Sequence, residues 1–134
     1  MKNPLQSSIF LSKFFSYGLL FFYCGIIFYL SSQVFSVETP YSNLDKIVHL
    51  IEYSILGFLA SNAFSKNGSK ENKDKTLFLS ILFSFFYGLS DEVHQLTVPG
   101  RTFSLMDLLF DLLGGSLGGW FFWKSQDSAK TKTF

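Results

Sequence analysis

At 134 residues the chain has room for one domain. A mean hydropathy of +0.27 together with 18 phenylalanines points that domain at the membrane rather than at water. A net charge of +1 leaves no basic field for nucleic acid, and the single Cys24 excludes an internal disulfide.

Taken in chain order, the first predicted element is a span over residues 14–37, uncharged and dominated by Phe, Leu, Ile and Tyr. It exceeds the roughly 20 apolar residues that cross a hydrocarbon core of about 30 Å. It is too long for a signal-peptide core and has no small-x-small cleavage site after it. Phe22 and Tyr23 before Cys24 are too bulky for a lipoprotein cleavage box. A second span is predicted over 44–64, followed by a Lys/Asn/Ser-rich solvated loop over 65–75. The third span covers 76–96. The connection Thr97–Phe103 is short and carries Pro99-Gly100, a turn signal that makes the third and fourth spans antiparallel neighbours. The fourth span covers 104–123, and 124–134 reads as a frayed tail. The predicted fold is an all-α integral membrane four-helix bundle, one domain over residues 1–134, without internal repeats.

Topology follows from lysine and arginine. With four spans, both termini and the loop over 65–75 share one side. That side holds Lys2, Lys13, Lys66, Lys70, Lys73, Lys75, Lys124, Lys130 and Lys132, nine of the 11 basic residues. The other two, Lys46 and Arg101, lie opposite. The positive-inside rule puts both termini in the cytoplasm. The polar ends of spans two, three and four then open outward.

Those ends carry the chemistry. Asp45, His49 and Glu52 fall within one arc of a helix with Tyr53 beside them, and Ser104, Asp107 and Asp111 do the same on the fourth span. Asp91, His94 and Gln95 are predicted to share a face of the third span, with Glu92 on its flank. Arg101 is expected above the polar ends. Six carboxylates, Asp45, Glu52, Asp91, Glu92, Asp107 and Asp111, thus gather with two histidines, Lys46 and Arg101. A charge at the bilayer centre costs roughly 2.5–3.5 kcal/mol, so the cluster marks a functional pocket. The candidate catalytic residues are His49, Glu92, His94, Gln95 and Arg101. Lys46, Glu52, Tyr53, Arg101 and Ser104 are candidates for substrate binding. Asp45, Asp91, Asp107 and Asp111 could hold a divalent metal.

Plainer readings compete. Ser42-x-x-Asp45 and Ser104-x-x-Asp107 are capping boxes by pattern. Asp91, Glu92 and His94 could mark an interfacial helix end. Capping does not account for Asp111, about 10 Å beyond Ser104 along a helix, nor for His49 and Glu52, for which interhelical hydrogen bonding is the structural alternative. Gly114, Gly115, Gly118 and Gly119 form two overlapping G-x-x-x-G frames, read as a tight helix contact within the bundle or between copies in a homo-oligomer.

Asp45-Lys46-x-x-His49-x-x-x-Tyr53 is followed by Glu92-x-x-Gln95-x-x-x-Pro99-Gly100-Arg101-x-x-Ser104-x-x-Asp107-x-x-x-Asp111-x-x-Gly114. This pattern, with Ser31-Ser32-Gln33 before it, resembles the VanZ-like family of bacterial membrane proteins. The likeness covers about residues 28–118. The family takes its name from a protein associated with resistance to the glycopeptide teicoplanin, and the resemblance implies a cell-envelope membrane protein. Two functional classes follow. One is an enzyme that hydrolyses or transfers a group on a lipid head group or lipid-linked envelope precursor. His49 or His94 would be its base or nucleophile, an acid such as Glu92 the partner, and Arg101 the phosphate ligand. The other is a non-enzymatic lipid- or glycopeptide-binding accessory, or a small transport factor. A proton-coupled carrier fits less well, because Phe, Leu and Gly fill the cytoplasmic half where a polar track is expected.

Overall fold

The computed structural model of the protein describes residues 4–33, 42–65 and 72–131. These residues form four helices and no strand: α1 (Pro4–Ser31), α2 (Ser42–Ser65), α3 (Lys73–Gln95) and α4 (Leu105–Thr131). Each contains a stretch long and apolar enough to cross a membrane, namely Leu11–Ser31, Leu44–Ser65, Lys73–Gln95 and Leu105–Ser128. The chain is a multi-pass membrane protein with an all-helical fold.

The helix ends depart from the sequence reading where local chemistry decides them. Helix α1 stops at Ser31 and Gln33 N–H closes a turn on Leu30 O, whereas the predicted first span ran to residue 37. Residues 34–37 lie outside the described part, as does the loop over 66–71. Helix α3 begins three residues earlier than predicted, because the Asn72 side chain accepts from Lys75 N–H and caps it. The tail is helical to Thr131 rather than frayed. Lys73 Nζ donates to Asp127 Oδ2 at 2.8 Å, and Lys124 Nζ lies 4.7 Å from the Trp120 ring centroid, so side-chain contacts support these last turns.

The interior combines an apolar cluster, with Leu20, Ile27, Tyr53 and Leu56 at its centre, and many small or polar groups, while other large apolar side chains face outward. Phe14 (72% exposed), Phe22 (67%) and Phe78 (62%) point away from the bundle. The buried face of α3 is Thr76, Ser80, Ser84, Gly88, Asp91, Glu92 and Gln95, without a large apolar side chain. The half toward the lysine-rich end, expected to be Phe, Leu and Gly, therefore does carry a row of hydroxyls. They are spent locally: Ser80 Oγ donates to Thr76 O at 2.8 Å and Ser84 Oγ to Ser80 O at 2.9 Å.

Small side chains let α2, α3 and α4 close up. A Cβ on Gly57 of α2 would collide with the Gly115 backbone of α4. One on Gly118 would collide with the Ser54 carbonyl, and one on Gly114 would sit 2.5 Å from Leu50 O. A Cβ on Gly115 would lie 2.5 Å from Ser84 Cβ of α3. The glycine face of the fourth span is thus filled by the chain's own α2 and α3. Helix α1 packs on α2, lightly on α3, and among the described residues not on α4.

Candidate functional site

The N-terminal end of α2, the C-terminal end of α3 and the N-terminal end of α4 meet at one end of the bundle. The α3–α4 connection is held short by Arg101 N–H donating to Val98 O at 3.1 Å, with Gly100 at φ +83, a conformation open to glycine. This brings an acid-rich end of α3 against the first turns of α4.

At the centre are His49 from α2, Glu92 from α3 and Asp111 from α4. His49 is 4% exposed, and the two acids are fully buried. His49 Nδ1 and Asp111 Oδ1 share a hydrogen bond of 2.8 Å. One ligand-type atom from each of the three residues lies within 4.8 Å of the others. Among the described residues, Asp111 Oδ2 and Glu92 Oε1 have no hydrogen-bond partner. The Tyr53 hydroxyl is also buried without a partner, and its ring stacks parallel to the His49 imidazole at 6.3 Å. A buried polar atom left unpaired costs about 1–3 kcal/mol. Several in one place mark a site built for something besides packing.

Glu92 is central, not flanking. Its Oε2 accepts Ser104 N–H at 2.6 Å, while Ser104 Oγ accepts Asp107 N–H at 3.2 Å. Ser104 is therefore the N-cap of α4, and the returning half of the expected box is supplied by Glu92 of another helix instead of Asp107. Asp107, freed from that task, sits 4.0 Å from Lys46 Nζ of α2. With Asp45 and His49 it forms a second group of ligand-type atoms within 4.8 Å, exposed at Asp45.

The four aspartates read as metal ligands do not form one set. Asp45 and Asp107 group around His49, Asp111 joins His49 and Glu92, and Asp91 is in neither group. Asp91 Oδ2 instead accepts from Gln95 Nε2 at 3.1 Å along α3. His94 leaves the predicted face altogether. Its ring stacks on Phe28 of α1 at 4.2 Å and its Nε2 bonds Ser32 Oγ at 2.9 Å. It joins α1 to α3 outside the central cluster. Arg101, in the connection itself, is half-buried; among the described residues its Nε has no partner and none of the ion pairs includes it. The Glu52 backbone carbonyl accepts the Tyr23 hydroxyl at 3.2 Å, tying α1 to α2. The Ser42 side chain, half of the other capping box, lies outside the described part.

Two residues that matter here carry no chemical signal in the sequence. Gly88 of α3 leaves the space that Asp111 occupies: a Cβ there would lie 2.6 Å from Asp111 Oδ2. Tyr87 beside it donates its hydroxyl to Cys24 O of α1 at 2.5 Å and tilts against Tyr53. Gly88 falls one helical turn before Glu92, and that spacing is the trace of its role.

The match to known proteins agrees with the residue pattern. A family model described as VanZ/LLP1 matches residues 4–126, nearly the whole chain. No curated protein and no solved structure matches it.

Proposed function

We propose that this chain, which belongs to the VanZ-like family, is a membrane-embedded enzyme of the bacterial cytoplasmic membrane. Its reaction is hydrolysis or group transfer on a lipid head group or lipid-linked envelope precursor. The observation that carries this reading is the buried His49–Asp111 pair beside Glu92, with two carboxylate oxygens unpaired. Hydrogen-bonded glue would use those atoms up. A reactive centre keeps them for substrate, water or a proton in transit.

The roles follow from chemistry. Asp111 fixes the imidazole through Nδ1, leaving the other ring nitrogen of His49 to meet the nucleophile. Glu92 is the neighbouring acid–base group. Lys46 and Arg101, at the rim, supply positive charge for a phosphate. The cluster lies toward the end of the bundle remote from most lysines, so by the positive-inside rule the substrate belongs to the outer leaflet, with both termini cytoplasmic.

The test is a comparison of membrane lipids and lipid-linked precursors from cells with and without the protein. A species gained or lost, and restored by wild-type but not His49→Gln protein, is the expected result. An unchanged profile would leave a non-enzymatic lipid or glycopeptide-binding module as the better account. Orientation has its own check. Cysteines placed at Ser36 and Ser69, both outside the described residues, should differ toward an impermeant thiol reagent, with Ser36→Cys labelled from outside. The opposite labelling would move the site to the inner leaflet.

A further inference from the structure

We propose that His49, Glu92 and Asp111 form a binding site for one divalent transition-metal cation, held by one imidazole nitrogen and two carboxylate oxygens. The inference rests on the reading of this cluster as the reactive centre and gives His49, Glu92 and Asp111 the role of ligands, in place of the acid–base roles they would have without an ion. Three observations support it. The donor atoms come from three different helices and lie within 4.8 Å of one another, a spacing a single ion can bridge. All three side chains are nine-tenths or more buried, so their positions are set by packing and not by solvent. Glu92 Oε1 and Asp111 Oδ2, each on a fully buried side chain, lack a partner. Both are acceptors, and a cation satisfies several acceptors at once.

The donor set indicates the class of ion. One imidazole with two carboxylates suits zinc or manganese; magnesium and calcium prefer all-oxygen shells. Three protein ligands leave a coordination position for water or substrate, as in catalytic zinc sites. Binding through His49 Nδ1 would displace the proton that it shares with Asp111 Oδ1, so protons should be released. A bound water would then be held near its hydroxide form at neutral pH, its proton passing to solvent. The alternative group, Asp45–His49–Asp107, shares His49 but is exposed at Asp45, and Asp107 already faces Lys46. Of the three buried carboxylate oxygens without a hydrogen bond among the described residues, the buried set holds two, Glu92 Oε1 and Asp111 Oδ2; the third, Asp107 Oδ1, has Lys46 Nζ at 4.0 Å, which favours the buried set.

The experiment uses the full chain purified in detergent without chelator. Metal content is measured, the protein is stripped, and Zn²⁺ and then Mn²⁺ are titrated while heat and thermal stability are followed. Expected are about one equivalent per chain, a higher melting temperature for the refilled protein, and proton release that scales with buffer ionisation heat. Glu92→Gln and Asp111→Asn should each weaken binding about 100-fold or more, beyond the ~10–100-fold typical of groups that merely support a ligand. Asp45→Asn should bind as wild type. No bound metal and no response of the wild-type chain to either ion overturns the proposal, whatever the variants do. Loss of binding in Asp45→Asn with Glu92→Gln unaffected also overturns it, in favour of the exposed group. Metal binding by a chain that leaves membrane lipids unchanged would sink the enzyme reading alone. Lipid turnover by fully stripped protein would sink the metal site alone.

Discussion

The two halves of the α2–α3–α4 bundle are both lined by small and polar residues, yet they use them in opposite ways. In the half toward the lysine-rich end, Ser80 and Ser84 turn their hydroxyls onto their own helix, and glycines bring backbones into contact. Two of its polar atoms, Ser61 Oγ and Trp123 Nε1, are left over. In the other half, ionisable groups replace hydroxyls, and Tyr53 OH, Glu92 Oε1, Asp107 Oδ1 and Asp111 Oδ2 are left over around one histidine. Polarity inside a membrane protein therefore does not identify a site by itself. Unused ionisable capacity, concentrated at one place, is the distinguishing property.

The largest effects should come from the packing half. Gly57→Leu or Gly118→Leu would drive a side chain into backbone of the facing helix, which cannot swing aside. Overpacking costs about 1–3 kcal/mol even where side chains can adjust, and here the helices must separate, so folded protein should be lost. Monodisperse yield in detergent measures this. Gly18→Ala and Gly25→Ala in α1, where nothing lies within 4 Å, are the controls and should be neutral. Equal damage at all four positions would mean that close approach is not what α2 and α4 depend on.

The polar half should respond in activity instead. His49→Gln and Arg101→Gln are expected to fold as wild type and lose about 100-fold or more of lipid turnover, the scale of a general acid–base group. Glu92 has two tasks, and two substitutions separate them. Glu92→Gln keeps an oxygen for Ser104 N–H and should lose activity with stability preserved. Glu92→Ala loses the α4 cap as well, at a cost of about 1 kcal/mol seen in thermal melts. If Gln and Ala were equally unstable, the unpaired carboxylate oxygen would be doing structural work.

Much of this contrast is readable from residues, and the unread part has a common cause. Helical periodicity finds four spans and places His49 and Asp111 on inward arcs, because period and charge avoidance are local properties. It pairs Asp91 with Gln95 on one face, as found, but misassigns Glu92 and His94, which lie two residues apart at a helix end. Which of them faces α4 depends on the roll of α3, set by Gly88 and Ser84 against α4, and on α1 capturing His94 through Phe28 and Ser32. The tail over 124–131 looks frayed in sequence because Lys73, its ion-pair partner through Asp127, belongs to another helix. Ser104-x-x-Asp107 signals the cap correctly, but no local pattern shows that Glu92 supplies its second half.

The smallest effect belongs to the serines of α3. Ser84 Oγ donates to a carbonyl that its own helix already engages, so removing the hydroxyl strands no buried donor or acceptor. Hydrogen bonds between membrane helices average about 0.6 kcal/mol, and a bond within one helix should contribute less to holding the bundle. Ser84→Ala also keeps the Cβ that meets Gly115, so helix separation is unchanged. It should shift the thermal midpoint little and leave lipid turnover intact, and Ser80→Ala should behave alike. A large loss of turnover in Ser84→Ala with unchanged stability would break the division between halves. It would show that the hydroxyl row of α3 serves the cluster at Glu92 and Asp111, and the site would then extend the length of the helix.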